Sequence, residues 1–116
     1  MIHDVSGRVD IVALIRSARA HGRVVHLVPA GADKATSLSA FADALAFPDW
    51  FGGNLDALAD SLRTFVRQVA VPVEVIWDGV RTLSEEDPEA LAGIRSVLED
   101  TATAHPELHV TVVDRL

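Results

Sequence analysis

The chain has 116 residues, a formal net charge of −7 and no cysteine. That length suffices for one domain with a core of its own, while the missing thiols exclude a disulfide framework, a thiolate nucleophile and a zinc–thiolate site. The acidity argues against nucleic acid as a direct ligand and in favour of a basic partner.

In chain order, the first predicted element is a helix over 9–20, where Ile11, Leu14, Ile15 and Ala18 recur at helical spacing and Gly22 offers a left-handed stop. Val24-Val25-His26-Leu27-Val28 is short, β-branched and almost continuously apolar, as expected of a strand covered on both faces, and Pro29 and Gly31 end it. A second helix is predicted from Thr36 to Ala46, with Leu38, Phe41, Ala42 and Leu45 along one stripe and Thr36 or Ser37 as its N-cap.

Phe47 to Gly53 is a loop by its proline and its glycine pair, and Asn54 caps a third helix running to about Val66. Leu55, Leu58, Leu62 and Phe65 form the buried stripe of that helix. Pro72 opens a strand over 73–77, ended by Asp78-Gly79. A fourth helix is predicted from Asp87 to Thr103, with Pro88 in its first turn and Leu91, Ile94, Val97 and Leu98 at helical spacing. The acidic run Glu85-Glu86-Asp87 is expected to cap this helix and complement its dipole. Pro106 ends it before a third strand over 108–113. Strands alternating with helices predict a single α/β domain, in two or three layers, built on a small three-stranded parallel sheet with packed helices.

Charge is unevenly spread. Residues 1–31 hold Asp4 and Asp10 against Arg8, Arg16, Arg19 and Arg23, which leaves the remaining 85 residues at a net −9. The later part of the chain is therefore the source of any field that would draw in a cationic partner.

The stretch from Phe47 to Phe65 departs from what stability alone favours. Asp56 and Asp60 are four residues apart on one predicted helix, so two like charges share a face and repel by roughly a few tenths of a kcal/mol. The helix dipole compensates Asp56 more than Asp60. Trp50 and Phe51 precede them beside Gly52-Gly53, a composition typical of binding hot spots. By spacing alone the two carboxylates read first as solubilising charge, and the two aromatics as rings tucked over the core. A binding face is the second reading.

The segment Phe47-Pro48-Asp49-Trp50-Phe51-Gly52-Gly53-Asn54-Leu55-Asp56-Ala57-Leu58-Ala59-Asp60-Ser61-Leu62 resembles the signature of the barstar family. That signature is a Pro-acid-aromatic-aromatic-Gly-x-Asn-Leu-Asp-Ala-Leu pattern followed by an acid near mid-helix. In outline the resemblance extends over about residues 24–113, which makes 1–22 an N-terminal helical extension to a barstar-like domain at 23–116.

The resemblance implies an inhibitor and not an enzyme, without cofactor or metal. Its acidic helix and the preceding loop would block the active site of a basic, extracellular-type ribonuclease resembling barnase, or of a related toxin. Position by position, Trp50 matches an aromatic contact residue, Asn54 and Asp56 match polar contacts, and Asp60 matches the central carboxylate that mimics an RNA phosphate. Asp100, with Glu99 as the alternative, matches an acid on the last long helix. Ala59 and Arg63 also fall on the contact side, and both depart from the family members closest to barstar. Ala59 stands where those have a large aromatic and Arg63 where they have a small polar residue, while Phe65 replaces an aromatic of another type. A cationic Arg63 opposes a basic enzyme unless that enzyme offers an acid there, which favours the inhibitor class over barnase itself as the target.

The acid at Asp4 and the lack of any long apolar run predict an unexported, cytoplasmic protein, a monomer when free, with neither membrane nor nucleic acid as a partner. One rival reading is an enzyme with Asp78 at the carboxyl end of a strand, where α/β sites form; Asp78-Gly79 also reads as a plain turn. A metal site has little support, because His105 and His109 are separated by Pro106 and His3, His21 and His26 form no ligand motif. The other rival is an immunity or binding module for a different basic protein or a non-ribonuclease toxin.

Overall fold

The computed structural model describes residues 2–48 and 52–116. In chain order its elements are β1 (Ile2–Gly7), α1 (Ile11–Ala20), β2 (Val24–Pro29), α2 (Lys34–Ala44), α3 (Leu55–Gln68), β3 (Val73–Asp78), α4 (Arg81–Glu86), α5 (Pro88–Ala104) and β4 (Leu108–Arg115). The strands form one sheet in the order β1-β4-β3-β2, with every neighbouring pair parallel.

Alternation along the strands divides the sheet into two faces. Val73, Val75 and Trp77 of β3 stand beside Leu108, Val110 and Val112 of β4 in register, and together with Ile2 and Val28 they form the floor of the core. Leu38, Phe41 and Leu45 from the α2 region, Leu58, Leu62 and Val66 of α3, Leu83 of α4, and Ile94 and Leu98 of α5 pack onto this floor. Trp77 is fully buried and its ring lies 5.6 Å from that of Phe41. The crossover from β1 to β2 runs along the strand order in the opposite sense to the two that follow, so right-handed connections set α1 on the other face. That face carries Ile76, Val113 and the buried Glu74, which receives Arg23 Nη1 at 3.2 Å and the Thr111 hydroxyl at 3.2 Å.

The sheet has four strands, where the apolar runs indicate three. The additional strand, β1, lies at an edge, and Ile2 is its only buried side chain, so Ile2-His3-Asp4-Val5-Ser6-Gly7 needs no continuous apolar run. Ladder pairing with β4 holds it, reinforced by two bonds from Arg95 to the Asp4 carboxylate at 2.5 and 2.6 Å and by the Ile2 N–H donating to Glu99 at 3.1 Å. The segment expected as a purely helical extension therefore also supplies a strand to the common sheet.

Three local expectations shift for identifiable reasons. The second helix begins earlier than Thr36, because Asp33 is its N-cap: the Asp33 carboxylate accepts the Thr36 N–H at 2.9 Å while Thr36 Oγ1 accepts the Asp33 N–H, a reciprocal capping box. Glu85 and Glu86 close the short helix α4, and Asp87 alone caps α5 by accepting the Ala90 N–H at 3.2 Å. With six residues and Leu83 as its one buried side chain, α4 has no periodicity to reveal it.

Candidate functional site

The geometry of α3 follows from its first turn. Gly53 adopts a φ of +65°, a left-handed conformation that an L side chain resists. It delivers Asn54 in an extended conformation, where its Oδ1 accepts the Ala57 N–H at 2.8 Å and caps the helix. Leu58, Leu62 and Val66 recur at i, i+4 spacing and are buried. Leu55 and Phe65, at the margins of that stripe, are only partly buried, and Phe65 meets the His26 ring edge-on at 5.2 Å.

The opposite side of α3 is wet. Asp56, Asp60, Arg63 and Arg67 are exposed, and the Asp60 side chain keeps 70 % of its accessible surface. Asp60 has a neighbour that resemblance alone does not supply: Arg63 Nη2 donates to its Oδ1 one helical turn away. The i, i+3 spacing of acid and base is the signal in the sequence that foretells this pair.

Two concavities flank Asp60. On one side, a cleft of about 100 Å³ is walled by Leu45, Phe47, Pro48 and Phe65, with Asp60 among its lining residues. On the other, a cavity of about 170 Å³ between α3 and α5 is lined by Ala59, Arg63, Val97, Asp100, Ala104 and His105, among others. Gly93 of α5 lies against the tip of Leu55 from α3, where a Cβ would stand 2.8 Å from Leu55 Cδ1 and turn that side chain aside.

The predicted contact residues Asn54, Asp56, Ala59, Asp60 and Arg63 thus share one helix with its cap, and Asp100 joins them from α5 across the second cavity. Asp100 is exposed, whereas Glu99, the alternative, is engaged with the Ile2 amide. Trp50 lies outside the described residues. Asp56, Asp60 and Asp100 stand against the Arg63 and Arg67 guanidiniums on this surface, which leaves it net negative and able to accept charge-assisted hydrogen bonds from cationic groups.

Elsewhere, Asp78 at the end of β3 receives Arg115 through Nε at 2.7 Å and Nη2 at 2.9 Å, and this bond holds the Arg115 guanidinium above its ordinary pKa. Its environment is that of an ion pair closing two strand ends. Among the described residues no cluster of three or more histidine, aspartate or glutamate side chains has metal-binding geometry, and no helix is long and apolar enough to cross a membrane.

No curated protein matches the chain. Residues 23–114, which include α3, α5 and every candidate contact residue, match the family model described as Barstar (barnase inhibitor).

Proposed function

The chain belongs to the barstar family, and we propose that it is a cytoplasmic inhibitor whose α3 face blocks the cationic active site of a basic ribonuclease. The observation that carries this reading is the placement of Asp56 and Asp60 on the solvent side of a helix whose other side is locked into the core. A ribonuclease site presents arginine, lysine and histidine arranged for a phosphate, and a carboxylate on a rigid helix can take the place of that phosphate.

Arg63 does not cancel Asp60. Both side chains are substantially exposed, at 47 % and 70 %, and such a surface pair contributes only about 0–1 kcal/mol. Hydrogen bonds from a partner's cations in a desolvated cleft contribute about 1.5–3 kcal/mol each, so the partner displaces Arg63.

Immobilised protein should capture from cells a basic protein that cleaves RNA once dissociated. The Asp60→Ala variant should bind that partner at least roughly tenfold to a hundredfold more weakly, because it leaves buried cations unpaired. Glu86→Ala, on α4, should change affinity by less than about threefold, as it trims only the distant field. Equal losses for the two variants would refute the α3 geometry, and a captured partner without nuclease activity would refute the ribonuclease assignment.

Arg63 favours a second reading, in which the same face neutralises a basic toxin of another activity. A partner bearing an acid opposite Arg63 would satisfy the guanidinium displaced from Asp60, and such a partner need not resemble barnase.

A further inference from the structure

The cavity between α3 and α5 adjoins the turn of α3 that carries Asp60 and holds the Asp100 carboxylate, while its other polar groups have partners of their own. The Thr101 hydroxyl donates to Val97 O at 2.8 Å, within its own helix. His105 Nδ1 lies 3.5 Å from Glu107 Oε1, and Arg63 is bonded to Asp60. With these polar groups engaged, Ala59, Val97 and Ala104 dominate what the cavity offers, and the Asp100 carboxylate stands among them.

Its volume of about 170 Å³ compares with the roughly 150 Å³ of an apolar cavity that takes up benzene. A guanidinium hydrogen-bonds along its edge and stacks through its face, so Arg63, once the partner's cations release it from Asp60, can lie against an aromatic ring. A mixed lining in which Ala59, Val97 and Ala104 supply the apolar contact, a ring-sized volume and a flanking guanidinium together suit an aromatic group.

We propose that this cavity is a second subsite of the α3 face, one that accepts an aromatic side chain which the basic partner carries beside its cationic residues. The proposal rests on the assignment of α3 as the binding face and adds a specificity determinant to it. Ala59 is the positioning residue: its small side chain leaves the cavity open.

The test uses two probe dipeptides, acetyl-Trp-Arg-amide and acetyl-Ala-Arg-amide, titrated into the full chain while backbone amide shifts are followed by NMR. The tryptophan peptide should bind roughly tenfold more tightly, with the largest shifts at Ala59, Val97 and Ala104. Ala59→Trp plugs the cavity from α3 and Ala104→Trp from α5; each should erase the preference while the spectrum remains that of the folded protein. Arg63→Met should lower it roughly twofold to fivefold through loss of the cation–π contact. Asp60→Ala should weaken both peptides and leave their ratio unchanged.

Equal binding of the two peptides, absence of saturable shifts with either, or a preference that survives both tryptophan variants would overturn the subsite. If both peptides bind equally and depend on Asp60, the acidic face stands and only the subsite fails. A tryptophan preference in a protein whose affinity for both peptides is untouched by Asp60→Ala would keep the subsite and count against the phosphate-mimic reading.

Discussion

Asp60 chooses between Arg63 on its own helix and the cations of a bound protein, and water decides the free state. Solvent weakens the internal pair to the point where it orients the carboxylate without committing it. His109 on β4 presents the opposite situation. It is half-buried beside Glu74 in register, and burial, aided by the nearby positive Arg23, pushes its imidazole below the ordinary value; Glu74 opposes this in part. The unfolded chain then binds a proton more readily than the folded one, so stability is fully present above about pH 6.5 and is lost as pH falls through the lower, folded-state value. Replacing His109 by glutamine should flatten the fall in unfolding free energy between neutral and mildly acidic pH, as followed by urea denaturation. An unchanged slope would mean that other groups carry it.

At the scale of elements, the functional surface depends on how closely α3 approaches α5. At that approach Gly93 meets the tip of Leu55, next to the capped first turn that holds Asn54 and Asp56. Gly93→Val should destabilise the fold by about 1–3 kcal/mol through overpacking and also weaken partner binding, because the displaced Leu55 carries the start of α3 with it. Denaturant midpoints and affinity measured on the same variant check the two effects; a destabilised variant with unchanged affinity would uncouple the interface from this contact. The faces of α3 and α5 are legible from periodicity, and Asn54 is legible as a cap, because both depend on residues within a turn or two of one another. β1 and α4 are not legible in this way. An edge strand with one buried side chain and a six-residue helix are held by partners far along the chain, Arg95 and Glu99 in the case of β1.

For the whole molecule, the net charge of −7 supplies a field that speeds encounter with a cationic partner and is screened by salt, the Debye length falling from about 10 Å at 0.1 M to about 3 Å at 1 M. The association rate with the captured basic partner should drop roughly tenfold or more across that range, while the dissociation rate changes far less. Stopped-flow binding would show this, and a salt-independent association rate would remove the steering argument.

The amino-acid sequence by itself determined the α/β class, the charge, the helix on which Asp56 and Asp60 stand and the family, since each is written in short-range patterns of residue type. The tertiary structure alone decided that the sheet has a fourth strand and that Ala59 and Asp100 line one ring-sized cavity between two helices. These features join groups as distant as Asp4 and Arg95 or Ala59 and Asp100, and only packing of the chain into three dimensions selects such partners from the many that composition allows.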